Sequence, residues 1–319
     1  VSEITPSAST KTGQRVRKYI EAAKATSTQR SYQSHWKDFQ SFCGERGYKS
    51  LPASSAAVAD YMTFLADIGA KMSTIQVKAA AISYIHRTAN VDNPVRTVAV
   101  QETLRGIRRT LGTAQNGKDP IALHELRELM DVLPDDIRGI RDKALLLIGF
   151  AGAFRRSELV ELSVSDIAFE KNQIRITIRR SKTDQEGSGM LKVIPMLRDK
   201  TVCPVTALKN WLTSAAITDG PVFRPIDRWG NIHKRTMQPQ EVARVIKKYA
   251  PSAKLDTQHY AGHSLRAGYV TEAADHDIPL WKIKQQTGHK SDTTVQRYIR
   301  NRGRGALDAT RAAFGEEEE

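Results

Sequence analysis

The sequence predicts a mainly α-helical protein of two domains with one small antiparallel sheet, and three observations lead there. Apolar residues recur at helical spacing through most of the first 111 positions. One pair of alternating segments, QIRITIR and MLKVIPM, flanks the turn-rich break SKTDQEGSG in the second half. Between the halves lies GTAQNGKDP, residues 112–120, with two glycines, a proline and almost nothing apolar, which reads as a linker. The length of 319 residues also exceeds the roughly 100 to 200 of one domain.

Residues 1–13 are rich in Ser and Thr and are expected to be disordered. Tyr32, Trp36, Phe39 and Cys43 then step by four, three and four behind capping candidates Thr26, Ser27 and Thr28. Val58, Met62 and Leu65 repeat the pattern after Ser54 and Ser55, as do Ile75, Ala79, Ile82 and His86 after Ser73. Val100, Leu104, Ile107 and Leu111 follow Thr97. Residues 14–111 therefore predict a domain of four or five helices. The second domain, 121–303, opens with helices that include the apolar KALLLIGFAGAF. It passes through the predicted hairpin and returns to helical patterns from about 204. Residues 304–319 hold a short amphipathic segment, ALDATRAAF at 306–314, and an acidic tail, EEEE.

Lys and Arg number 49 against 35 Asp and Glu, a net charge of +14. That imbalance suits a polyanionic partner, nucleic acid foremost, although solvated helix faces also account for much surface charge. Cys43 and Cys203 lie far apart without C-x-x-C spacing, which supports neither a disulfide framework nor a zinc knuckle. No apolar run reaches the roughly 18 to 20 residues of a membrane span, and the polar start lacks the apolar stretch of a secretory signal. A soluble cytoplasmic protein is expected.

Four stretches of the second half carry polar residues that packing alone does not require. In AGAFRRSELVEL, Arg155 and Arg156 precede Glu158, with Leu159 and Leu162 continuing a buried stripe. A surface ion pair is the plain reading; one arginine turned inward is the functional one. RRSKTDQ places Lys182 where the first strand of the hairpin runs out. HYAGHSLRAGYV sets His263 and Arg266 three apart at a helix start, expected on one face. His259 and His263 are four apart, but H-E-x-x-H lacks its glutamate and a third ligand, so no metal is expected. Finally, TGHKSDTTVQRYIRN places His289 nine positions before Tyr298, which is followed by Arg300 and Arg302. Phosphodiester cleavage needs an in-line nucleophile, cations on the non-bridging oxygens and a proton for the departing oxygen. Two arginines, one lysine, two histidines and a tyrosine meet that list.

The strings AFRRSEL, SKT, GHSLRAG, TGHKSD and RYIRN, in this order over about 145 residues, resemble the signature boxes of the tyrosine recombinase (phage integrase) family. TIQVKAAAISYIHR and YIRN are further similar to the Cre-like site-specific recombinases of that family. The resemblance implies a helical core-binding (SAM-like) domain and a catalytic domain closing as a C-shaped clamp on DNA. It makes Arg155, His263, Arg266 and His289 the phosphate-binding residues, with Glu158 in support, Lys182 the general acid for the leaving 5′ hydroxyl, and Tyr298 the nucleophile. His289 stands where Cre-like enzymes have tryptophan and most other members histidine.

The same resemblance implies a recombinase that forms a 3′-phosphotyrosine and exchanges strands between two duplexes through a Holliday junction, without metal, ATP or cofactor. Its partners would be double-stranded DNA carrying an inverted-repeat site and three further copies of itself, the tetramer closing by exchange of 306–314. DNA contacts are expected from Gln76, Lys78, Arg87, Arg105, Arg108 and Arg109 in the first domain and from Lys234, Gln238, Gln240 and Arg244 in the second. A type IB topoisomerase-like enzyme that relaxes DNA, or a degenerate DNA-binding architectural protein, would share part of this pattern.

Overall fold

A computed structural model of the chain describes residues 25–112, 118–179, 189–289 and 291–299. The chain divides into two compact units, Val1–Asn116 and Gly117–Glu319. The expected disordered start 1–13, Lys182 and the segment 306–314 lie outside the described residues.

The described part of the first unit holds four α-helices: α1 (Thr26–Arg46), α2 (Ser55–Asp67), α3 (Met72–Thr88) and α4 (Val98–Leu111). Their predicted stripes meet in one core, with Phe39, Val58, Met62, Ile75, Ile82 and Val100 all shut off from solvent. Leu111 departs from its stripe and is exposed, because the end of α4 runs past that core. Ser54 caps α2 through a bond from Ala57 N. The other caps differ from expectation. Helix α1 starts at Thr26 behind Ala25, and α3 starts at Met72 behind Lys71, which leaves Thr28 and Ser73 inside first turns. Thr97 occupies the N-cap position of α4, yet its hydroxyl bonds back to Pro94 O. His86 is fully buried: Ala53 N donates to its Nε2, so Nδ1 carries the proton and donates to Ile82 O, both at 2.9 Å.

In the second unit come α5 (Leu123–Asp131), α6 (Ile137–Ala151), α7 (Arg156–Val160), α8 (Pro204–Ser214), α9 (Pro239–Tyr249), α10 (Ser264–Asp275), α11 (Leu280–Thr287) and α12 (Asp292–Ile299). Helix α6 is apolar on nearly every side from Ala144 to Phe150 and forms the centre of the core. The strands β1 (Ile167–Phe169), β2 (Gln173–Ile178) and β3 (Met190–Pro195) make an antiparallel sheet in that order. The predicted hairpin is β2 with β3; β1, three residues long, is too short to show a period. Ile174 pairs with Ile194 and Ile176 with Lys192, so alternation sends these four side chains inward.

Two polar assemblies fix the framework. The Asp142 carboxylate, 1% exposed, receives Arg141 Nε at 2.9 Å and Nη2 at 2.7 Å, and the Tyr249 hydroxyl at 2.9 Å, which ties α9 to α6. Burial and the Asp142 charge push the Tyr249 phenol well above its usual pKa. A second assembly joins residues 118–121 to the lead-in of α10. Asp119 N donates to His259 O at 2.8 Å, Ile121 N to Ser264 O at 3.1 Å, and Lys118 Nζ to Gln258 O. At Gly268 a Cβ would stand 2.0 Å from Ile121 O, so only glycine lets α10 lie this close.

Asp142→Ala would leave Arg141 buried and uncompensated. The expected loss is about 3–5 kcal/mol of unfolding free energy, measured by urea denaturation.

Candidate active site

The site is built around a turn that ends α6. Gly152 and Ala153 leave the helix, and Ala153 takes φ +46, a conformation that a side chain rarely adopts. Phe154 folds back so closely that a Cβ on Gly152 would lie 2.0 Å from its ring. The chain then enters α7 through Arg155, its N-cap residue.

Glu158 grips Arg155 twice. Its Oε2 accepts from the Arg155 backbone N at 3.0 Å and its Oε1 from Arg155 Nη1 at 2.5 Å, with the two side chains only 13% and 4% exposed. Of the two adjacent arginines, Arg155 is thus the one turned inward, and its pair with Glu158 is buried rather than superficial. The aliphatic stem of Arg156 lies against Gly262 instead.

Arg266, on the first turn of α10, is 2% exposed. Its Nη1 donates to Ala153 O at 2.8 Å and its Nη2 lies 2.9 Å from His289 Nε2. A guanidinium only donates, so Nε2 of His289 accepts and the ring proton sits on Nδ1. Burial, and then the charges of Arg266, Arg155 and Lys192, hold the His289 pKa down to about 3. The ring is therefore neutral at physiological pH. His263 does not share the face of Arg266 inside the helix, as its spacing predicts. It is the N-cap residue of α10 and is exposed, whereas Arg266, three residues on, is buried.

Sequence reasoning missed Lys192, which lies 1% exposed beneath this cluster. Its Nζ donates to Gln286 O and stands 5.0 Å above the Phe154 ring. Desolvation depresses its pKa to about 7; Glu158 opposes the shift, while Arg266 and Arg155 reinforce it. The alternation of MLKVIPM puts Lys192 on the inward face with Ile194, and that parity was the available signal.

Helix α12 carries Tyr298 one turn beyond Val295, which is buried with Val270 of α10 and Ile283 of α11. Lys284 Nζ bonds Asp292 Oδ1 at 2.6 Å across the break between α11 and α12. The structure thus gathers Arg155, Glu158, Lys192, Arg266 and His289, and seats the helix of Tyr298 against the two helices that hold Arg266 and lead to His289. His259 is taken up elsewhere: its Nδ1 lies 2.5 Å from Asp119 Oδ2, which raises its pKa.

The DNA-contact candidates divide by placement. Gln76, Arg87, Arg105, Arg108 and Arg109 are exposed on α3 and α4, and Lys234, Gln238, Gln240 and Arg244 on or before α9. Lys78 is drawn inward, 12% exposed, donating to Asp38 and to the Tyr61 hydroxyl. Its ammonium is already committed to that carboxylate.

On the opposite side of β3, Leu191 and Val193 face outward and join Leu123, Phe150, Ile278 and Trp281 along an apolar groove of about 650 Å³. Trp281 is 63% exposed there, and Arg127 and Lys282 stand at the rim.

Residues 120–304 match the model of the phage integrase family. An integrase/recombinase XerD homolog of Selenomonas ruminantium is 41% identical over 289 residues, covering 89% of this chain and 84% of that protein. The recombinase Cre of Escherichia phage P1 is 25% identical over 83% of this chain and 81% of its own length. Among solved structures, the XerH site-specific recombinase bound to palindromic difH in a post-cleavage complex aligns with a TM-score of 0.61. That alignment has 16% identity and covers 81% of this chain and 72% of that one.

The neutral state of His289 has a pH signature. Its folded pKa lies below the ordinary 6.5, so between these values the unfolded chain binds a proton that the folded one does not. Stability from this group is complete above about 6.5 and is lost as pH falls toward 3. Urea midpoints at about pH 7 and about pH 4.5 should therefore differ less for His289→Gln than for the wild type.

Proposed function

The chain belongs to the phage integrase family, and on that premise we propose that it is a Cre-like site-specific recombinase whose Tyr298 cuts DNA as a 3′-phosphotyrosine. The observation that carries the reading is the convergence of Arg155, Arg266 and His289 from three distant segments beside the helix that holds Tyr298.

The charges decide what such a site would hold. Two guanidiniums face one carboxylate, Glu158, and His289 is neutral, so the cluster carries net positive charge in a desolvated place. A phosphodiester anion supplies what is missing, and dipoles and cations fixed in advance act most strongly where charge develops in the transition state. Arg155 and Arg266 would bond the non-bridging oxygens. His289 and the exposed His263 would donate further hydrogen bonds. Lys182 would protonate the leaving 5′ oxygen, as its place in the SKT string implies.

A free phenol has a pKa of about 10 and is a poor nucleophile at neutral pH. Adjacent cations favour the phenolate and neutralise the phosphate it approaches. Once Tyr298 is bonded to phosphorus, the ester is conserved, and a 5′ hydroxyl from a partner duplex can attack it without ATP or a metal. The exposed basic residues of α3, α4 and α9 would lie on phosphates and base edges.

Exchange between two duplexes needs four protomers. Segment 306–314 of a neighbouring copy suits the apolar groove beside β3: Leu307 and Phe314 supply apolar bulk, and the EEEE tail complements Arg127 and Lys282 at the rim. This groove favours a recombinase over a monomeric relaxing enzyme. Packing of 306–314 on its own domain is the competing arrangement.

Incubated with duplex carrying its site, in EDTA and without ATP, the wild type should form a covalent adduct that Tyr298→Phe abolishes. Arg155→Lys and Arg266→Lys should each slow adduct formation roughly a hundred- to a thousand-fold. A wild type that forms no adduct on a genuine site overturns the reading. Trp281→Ala should lower tetramer affinity and recombinant yield at least about tenfold, the effect of removing a buried aromatic anchor, while adducts persist. Adducts without recombinants from the wild type would favour the relaxing enzyme.

A further inference from the structure

A lysine ammonium is among the costliest groups to bury, and Lys192 is buried almost completely without touching the solvent side of the site. Methionine or leucine would fill the same inward position of β3 with no desolvation penalty, so packing alone does not account for it. Nor is it placed to reach DNA: its Nζ is turned beneath the cluster and donates to Gln286 O in the last turn of α11.

That turn is held at three further points. Gln286 Nε2 donates to Ala151 O at 3.0 Å and to Val193 O at 3.4 Å. Gly288 closes α11 at φ +70, so near β3 that a Cβ would come within 2.9 Å of Met190 Sδ. The next residue is His289, bonded to Arg266, and α12 with Tyr298 begins three residues later. Strand β3, the end of α6 and the end of α11 are therefore fastened at one spot, and Lys192 is the charged fastener.

We propose that Lys192 is a positioning residue whose buried ammonium pins the end of α11 to β3 and so sets where His289 and the helix of Tyr298 stand against Arg155 and Arg266. The inference rests on the recombinase reading and extends it to a group outside the five motif strings. Charged and titratable groups face Lys192 from each neighbouring element: Arg155 and Glu158 from the α7 entry, Arg266 from α10 and His289 from beyond α11.

The pin is also sensitive to what the site holds. Without DNA, two arginines and burial keep the amine near its titration point at about 7. A phosphate anion between those arginines removes repulsion and favours the charged amine. Binding of the duplex is then coupled to proton uptake, and the bond to Gln286 O tightens as the substrate arrives.

The test uses full-length protein and duplex carrying its site. Binding heats at about pH 8 in buffers of different ionisation enthalpy give the protons taken up, and gel assays give the adduct rate. Wild type should take up a fraction of a proton that K192M, folded by circular dichroism, does not. K192M should also form adduct at least about tenfold more slowly, with DNA affinity within about twofold. Gln286→Ala, at a partly exposed position, should slow adduct formation while keeping the uptake. Equal uptake or equal adduct rate in wild type and K192M overturns the pin. If K192M fails to fold, a wild-type rate for Gln286→Ala overturns it. Wild type without any adduct overturns the recombinase reading and the pin with it.

Discussion

A guanidinium cannot shed its charge, so Arg266, once inside the second unit, obliges everything around it to supply acceptors. Ala153 offers its carbonyl only because the end of α6 turns through a left-handed residue. His289 offers a ring lone pair and thereby gives up its own chance to be charged. The close approach of α10 to residue 121, which needs a glycine at 268, places the arginine deep enough for both bonds. A strained turn, a fixed tautomer and a bare backbone position are thus three consequences of one buried cation.

Replacing a buried ionic cluster of this kind with apolar side chains is often neutral or stabilising. Glu158 offsets one positive charge and is itself committed to Arg155. The remainder is an unspent field in a low-dielectric place, which water answers poorly and an anion answers well. In the proposed reading the fold tolerates that imbalance because the scissile phosphate completes it. In that reading the exposed His263 at the helix N-terminus would add a further donor.

Helical spacing located the core of the first unit, since burial of Phe39, Val58, Ile75 and Val100 comes directly from period, whereas in the second unit the apolar run of α6 marked the centre and only Leu159 and Leu162 showed a stripe. Alternation located β2 and β3. The residues alone left Arg155 and Arg156 open, and only the family resemblance pointed to Arg155, whose backbone and side chain Glu158 then holds. Illegible features depended on partners far away in the chain. Lys78 is claimed by Asp38, 40 residues earlier, and Lys192 by a carbonyl 94 residues later. Strand β1 has too few residues to display any rhythm, and the starts of α1 and α3 moved because packing, not a hydroxyl, decides where those helices begin.

The short ribbon between residues 118–121 and 258–264 has a mechanical meaning. The segment that emerges from the connection between the units is laced by backbone bonds to the residues just ahead of His263 and Arg266. A pull on residues 118–121 would therefore reach the lead-in of α10 through those bonds, as well as the core through the buried Ile121.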